Sequence, residues 1–207
     1  MTFTPYPKIP RLFRDVVITE KIDGTNASIA ILPIDDYACI ANPSGYPSEN
    51  VLANDNAQFV MLAGSRTRWL TPDKKGDNMG FATWVQANAA ALFRLGPGQH
   101  FGEWWGNGIQ RTYGLPNGDK RFSLFNTFRW EQLPEGLPAN VGIVPVLYQG
   151  PFGTDIVRQV VDHLATEGSR AVPGFARPEG VMVYHEASKQ IFKVTVEDDE
   201  KPKGQKD

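Results

Sequence analysis

The chain has 207 residues, 41% of them apolar and 21% charged, with a formal charge of −2. That is the balance of a water-soluble chain forming one large domain, or a domain with a small appendage. No apolar run nears the ~20 residues that cross a bilayer, and the N-terminal "MTFTPYPKIPRLFRD" lacks the apolar core of a signal peptide, so a cytoplasmic, membrane-free setting is expected. A single cysteine, Cys39, excludes an internal disulfide and a multi-cysteine zinc site, and "DYACIANP" offers its thiol no nearby histidine or cationic partner.

Taken in chain order, Val16 to Ile22 and Ala27 to Leu32 are rich in β-branched and apolar residues. They flank Asp23-Gly24, which reads as a β-hairpin turn. Residues 41–58 are turn-rich. "QFVMLAGSRTRWL" reads as a strand running into a basic turn. From Phe81 to Leu95, the spacing of Phe81, Trp84, Val85, Ala89 and Leu92 predicts a helix stopped by Gly96. "HFGEWWG" and "RFSLFNTFRW" read as aromatic-rich strands. "TDIVRQVVDHLATEG" predicts a second helix with Thr154 as N-cap, an apolar face of Ile156, Val157, Val160, Val161 and Leu164, and Gly168 as its stop. "EGVMVYH" and "QIFKVTV" are two further strands. The outline is α+β, mostly antiparallel sheets with packed helices, over residues 1–195. Residues 196–207, with four consecutive acids and then lysines, read as a charged, solvated tail.

Positive charge gathers at Lys8, Arg11 and Arg14, at Arg66 and Arg68, and at Lys74 and Lys75, while Arg111, Lys120 and Arg121 read as a solvated loop. Overall charge therefore neither announces nor excludes a nucleic-acid partner. Three histidines, His100, His163 and His185, form no ligand cluster in sequence. Trp104 and Trp105 read as core or rim aromatics. Glu103, bracketed by Phe101 and the two tryptophans, is a carboxylate whose burial needs a partner.

One stretch carries chemistry: "TEKIDGTNASIAI", with Lys21 two residues before Asp23-Gly24 and Asn26 two after. Read plainly, Asp-Gly turns the chain, Asn26 bonds the loop backbone, and Lys21 is solvated. The pattern also resembles the nucleotidyltransferase motif of the covalent-lysine superfamily of DNA ligases, RNA ligases and mRNA-capping enzymes. "EKIDGTN" looks closest to RNA ligases of the nick-sealing branch. Further motifs of that family resemble, in order, "GSRTR", "FGEWWG", "FSLFNTF", "RPEGVMVYH" and "IFKVT". The resemblance spans about Thr19 to Thr195 and implies an ATP-grasp-like adenylyltransferase domain.

What the resemblance implies is specific. Lys21 would attack the α-phosphorus of ATP, which an amine does only when deprotonated, a state favoured by nearby positive charge and partial burial. Lys193 would sit at the α-phosphate, and Glu179 would bind magnesium or manganese. Glu20 would accept from the adenine amine. Asn26 and Glu103 would bond the ribose hydroxyls or the neighbouring phosphate, Arg66 (with Arg68 beside it) would hold a phosphate or ribose, and Phe125 would stack on the purine, although Phe122, Leu124 and Phe128 offer competing registers. Asp23 would position the loop or touch nucleic acid. The implied activity is joining of 5′-phosphate and 3′-hydroxyl RNA ends, nicked or single-stranded, through lysyl-AMP.

Two departures from the family pattern stand out. The fifth motif has one lysine, with Thr195 where the second is expected or Ile191 where the first is. Fewer than fifteen residues follow it, which leaves no room for the barrel or helical domain of larger relatives. Without the N-terminal extension of NAD-dependent ligases, the expected donor is ATP. A minimal DNA ligase, or a nucleotide-binding module that stops at the adduct, fits the same motifs, and nothing in the sequence sets an oligomeric state.

Overall fold

Alternation decides most of this fold, because successive strand residues point to opposite faces. The structure, a computed structural model, describes residues 2–34, 50–55, 58–197 and 199. Cys39, the turn-rich stretch apart from 50–55 and 58, and all of the charged tail except Val196, Glu197 and Asp199 lie outside the described residues. The first strands are β1 (Asp15–Lys21), β2 (Thr25–Pro33), β3 (Ala53–Asn54), β4 (Phe59–Ser65) and β5 (Trp69–Leu70). Helix α1 (Phe81–Leu92) runs into a 3-10 turn (Phe93–Leu95), followed by β6 (Gly98–Gly106), β7 (Lys120–Leu124) and β8 (Val141–Ile143). Then come β9 (Val146–Pro151), α2 (Thr154–Glu167), β10 (Gly180–His185) and β11 (Gln190–Thr195).

These elements form two compact units: the described residues of Met1–Ile22 with those of Pro145–Asp207, and those of Asp23–Val144. The first unit holds a sheet in the order β11-β10-β1-β9, antiparallel at each pairing. Val16 and Ile18 of β1 with Val181 and Val183 of β10 make its core, closed by Leu164 of α2. Ile156, Val157, Val160 and Val161 complete the apolar face of α2, as their spacing predicts. The N-cap of α2 is Gly153, in extended backbone, rather than Thr154, which is the first helical residue. Gly168 ends the helix at φ 83°, where a side chain would also meet the Phe175 carbonyl at 2.6 Å.

The second unit holds a sheet in the order β3-β4-β2-β6-β7-β8, with β5 on β4. Its described pairings are antiparallel except β7 with β8. Phe81, Ala82, Val85, Ala89 and Leu92 of α1 are buried on its core, and the Phe81 ring lies 5.4 Å from Trp104 and 5.2 Å from Phe122. Asp77 starts the helix: its carboxylate accepts from the Ala82 and Thr83 N–H groups at 2.7 and 3.1 Å. The expected helix to Leu95 tightens into the 3-10 turn after Leu92, and Gly96 follows at φ 72°.

The expected hairpin is not formed. β1 pairs with β9 and β10, and β2 pairs with β4 and β6. Asp23-Gly24 instead hands the chain from one sheet to the other. Glycine is needed there for room rather than for φ: a Cβ at Gly24 would stand 2.5 Å from the Trp104 carbonyl and 2.7 Å from the Trp105 Cβ. Backbone cannot yield as a flexible side chain does. Gly24→Ala is expected to cost about 1–3 kcal/mol, read as a lower urea midpoint with an unchanged slope.

His100 of β6 is buried, with Nε2 bonded to the Gly96 carbonyl at 2.8 Å and its ring 5.7 Å from Trp130. Burial lowers its pKa, the Gly96 bond opposes this, and the Arg129 charge lowers it further. The unfolded chain therefore binds this proton more readily than the folded one. Stability is full above the unfolded value of about 6.5 and falls as pH drops from there toward the lowered folded value. Urea midpoints between pH 7.5 and 5 should record that loss, and His100→Gln should remove its part of it.

Candidate active site

The residues singled out by sequence fall into two groups, one on each sheet. In the first, Val16, Ile18 and Glu20 share one face of β1, so Val17, Thr19 and Lys21 take the other. The register runs Lys21–Gly180–Thr195 across β1, β10 and β11, and Thr19–Met182–Lys193 beside it. Lys21 and Lys193 therefore share a face. Two strand spacings and a two-residue step separate their Cα atoms by about 12 Å. Thr195 lies directly in line with Lys21, and its backbone N–H and Oγ1 donate to Asp199 Oδ1 at 2.8 and 3.2 Å.

Lys21 Nζ makes an ion pair with Glu179 Oε2, each side chain about one-fifth exposed at 22% and 19%. The two residues are 158 apart in sequence. Register brings them together: Glu179 directly precedes Gly180, the partner of Lys21, and the Glu179 carbonyl accepts from Val196 N–H at 3.0 Å. The lysine that the resemblance names as nucleophile thus meets the carboxylate that it names for the metal.

Glu20 goes elsewhere. It is 1% exposed, and its Oε1 accepts from Ser169 Oγ at 2.5 Å while Oε2 accepts from the Arg170 and Ala171 N–H groups at 2.8 and 2.9 Å. The side chain expected at the adenine amine instead holds the loop after α2, on the face of β1 opposite Lys21. Ser169 in this role has no signal in the sequence beyond following the helix-stopping Gly168.

In the second group, Asn26 of β2 faces Glu103 of β6, which faces Ser123 of β7. Trp104 and Phe122 point to the core, so Glu103, Ser123 and Asn26 share the other face. Phe122 and Leu124 are buried, whereas Phe125, just past the end of β7, is 39% exposed and Phe128 is 54% exposed. Phe125 N–H bonds the Phe101 carbonyl at 3.0 Å. Phe101, 49% exposed, stands on the same face two residues from Glu103, a second aromatic that the sequence reading passed over although "HFGEWWG" alternates. Arg66 stands exposed one residue beyond β4, where the β2–β4 register extrapolates to a position opposite Asn26. Arg68 is committed to its own turn, donating to the Gly76 carbonyl at 2.7 Å. Trp104 and Trp105 are both buried, as expected, and Trp105 Nε1 donates to Ser123 Oγ at 2.9 Å.

The junction has its own supports. Glu103 Oε1 accepts from Gly24 N–H at 3.2 Å, and Tyr113 Oη accepts from Asp23 N–H at 2.7 Å. Arg111 Nε donates to Asp23 Oδ2 at 3.0 Å. Gln110, Thr112 and Tyr113 all hold positive φ, at 44°, 56° and 54°, an arrangement non-glycine residues adopt only when surroundings enforce it. The expected solvated loop is therefore a clamp on Asp23. Lys120 and Arg121 are engaged too, with the Met79 carbonyl at 2.8 Å and with Asp119 at 2.9 Å.

Among the described residues no cluster of three or more His, Cys, Asp or Glu side chains is disposed to hold a metal. Glu179 is a lone carboxylate paired with a lysine. One carboxylate completed by phosphate oxygens and water is an ordinary magnesium arrangement. No helix among the described residues is long and apolar enough to cross a membrane.

A protein-family model for RNA ligases matches residues 14–195. That span takes in both sheets and every site residue above, and the chain belongs to the RNA ligase family. No curated protein and no solved structure matches it.

The Glu20 contacts yield a stability test separate from catalysis. Ser169→Ala leaves one oxygen of a buried carboxylate short of a partner, at an expected cost of about 1.5–3 kcal/mol. Thermal unfolding of the purified variant would record it.

Proposed function

We propose that this protein is an ATP-dependent RNA ligase working through a lysyl-AMP intermediate on Lys21. The observation that carries the reading is the Lys21–Glu179 ion pair, which unites the two residues the reaction needs most. The family match to RNA ligases supports the substrate class.

The chemistry follows from that pair. Attack on phosphorus needs the Lys21 amine free of Glu179 with its lone pair available, so the pair must open first. Glu179, once free of Lys21, would hold a magnesium or manganese ion, which when bound would supply charge neutralisation at the phosphates. Lys21 Nζ forms a bond to the α-phosphorus as the α–β anhydride bond breaks, pyrophosphate leaves, and the displaced amine proton goes to solvent. Lys193, on the same face, offsets charge on the α-phosphate. A 5′-phosphate oxygen of the RNA next displaces Lys21 from AMP. The 3′-hydroxyl then attacks that 5′-phosphate, forming the new phosphodiester and releasing AMP.

Asn26, Glu103 and Arg66 are assigned to the ribose and phosphates, and Phe125, with Phe101 beside it, to the purine face. Glu20 is assigned to support: by fixing residues 169–171 it steadies β1, whose next residue is the nucleophile. With Thr195 in the fifth motif, Lys193 carries the phosphate charge on β11 by itself.

Intact mass after incubation with ATP and magnesium tests the reading. An AMP-sized gain is expected for the unaltered chain and none for Lys21→Ala. Glu179→Ala should slow the gain by about a hundredfold or more, the size expected when several kcal/mol of charge stabilisation is lost. An AMP adduct on Lys21→Ala equal to that of the parent would end the proposal.

A further inference from the structure

Every described residue from Thr2 to Asp15 is exposed. Phe3, Tyr6, Ile9 and Phe13 are 85%, 83%, 73% and 77% exposed. Isolated exposed apolar residues are ordinary, but a series along one short segment marks a surface that something covers.

The spacing says what kind. Pro5, Pro7 and Pro10 fix φ and favour an extended polyproline II path, which repeats every three residues with about 3.1 Å per residue. On that repeat Phe3, Tyr6 and Ile9 fall on one edge and Lys8 and Arg11 on another, with Arg14 continuing the basic series. No acidic residue precedes Asp15, although the chain as a whole carries a charge of −2. Aromatic side chains beside a row of cations suit a single-stranded nucleic acid, whose bases stack while its phosphates pair. The basic edge favours that polyanion over an apolar protein groove.

The root of the segment is fixed while its length is exposed. Phe152 N–H donates to the Arg14 carbonyl at 2.9 Å, and the Leu12 carbonyl accepts from His185 Nε2 at 2.7 Å. The Phe13 ring lies 6.4 Å from Phe152. These contacts tie the segment to the start of β1, the strand that ends at Lys21. A stiff, anchored arm binds with less ordering entropy than a loose one.

We propose that residues 3–14 are a binding arm for single-stranded RNA, in which Lys8, Arg11 and Arg14 meet phosphates and Phe3 and Tyr6 stack on bases. The proposal rests on RNA being the substrate and extends that reading to how the strand is held.

The test is fluorescence anisotropy of the full chain with a labelled single-stranded RNA of about twelve nucleotides, across a salt series. Phe3→Ser/Tyr6→Ser should weaken binding about tenfold or more, as loss of base stacking does. Lys8→Gln/Arg11→Gln should reduce the slope of log affinity against log salt by about 1.4, two phosphate contacts at ~0.7 each, while Lys8→Arg/Arg11→Lys keeps it. All these side chains are exposed, so thermal midpoints should match the parent. Parental affinity and slope in both double variants would overturn the arm, as would an unaltered chain that binds no RNA. Binding of a proline-recognising domain with RNA affinity unaffected would overturn it in favour of a protein ligand. Intact mass on the unaltered chain keeps the readings apart: arm-dependent RNA binding without an AMP adduct would support the arm and reject Lys21 as nucleophile.

Discussion

A strand has two faces, and each of its residues must choose one. In β1 that constraint sends Val16, Ile18 and Glu20 toward the core and Thr19 and Lys21 away from it. Adjacent residues in "EKIDG" therefore do different work: the glutamate is consumed by a loop, and the lysine meets Glu179. The same parity in β2, β6 and β7 separates Trp104 and Phe122 from Asn26, Glu103 and Ser123. A slip of one residue in either sheet would exchange core for site throughout.

Much of this was legible in the sequence because it depends on local pattern. Both helices follow from apolar periodicity, and most strands from β-branched and aromatic runs. The order of the motifs "EKIDG" and "PEG" was legible, while the antiparallel register that sets their strands side by side was not. What was not legible depends on long-range partners. Asp-Gly between two strand-like runs reads as a hairpin, because nothing local says that each run has better partners elsewhere. Arg111 and Tyr113 lie about ninety residues from Asp23, and no spacing rule links them. Ser169 is invisible for the same reason. A serine after a helix stop is commonplace until a buried carboxylate is found above it.

Three carboxylates around these sheets have specific cationic neighbours. Asp23 has Arg111, Asp119 has Arg121, and Glu179 has Lys21. These pairs are only partly exposed, and each fixes the position of the side chains it joins. Arg111 orients the Asp23 carboxylate beside Gly24, and Glu103 takes the Gly24 N–H. Between Lys21 on one sheet and Thr25 on the other, three residues carry the chain, and all three are constrained: Ile22 by burial, Asp23 by its clamp, Gly24 by the wall of β6.

The strand order has a consequence for synthesis. β1 lies between β9 and β10, whose first residues, Val146 and Gly180, emerge more than a hundred residues after it. The unit from Asp23 to Val144 is continuous in sequence and can gather its contacts as it leaves the ribosome. β1 cannot. The strand bearing Lys21 is made well before either of its partners, so its apolar face of Val16 and Ile18 waits in water until β9 and β10 arrive. High sequence separation of this kind slows folding, and it delays assembly of the lysine's own sheet until the strands beyond Val146 have been made.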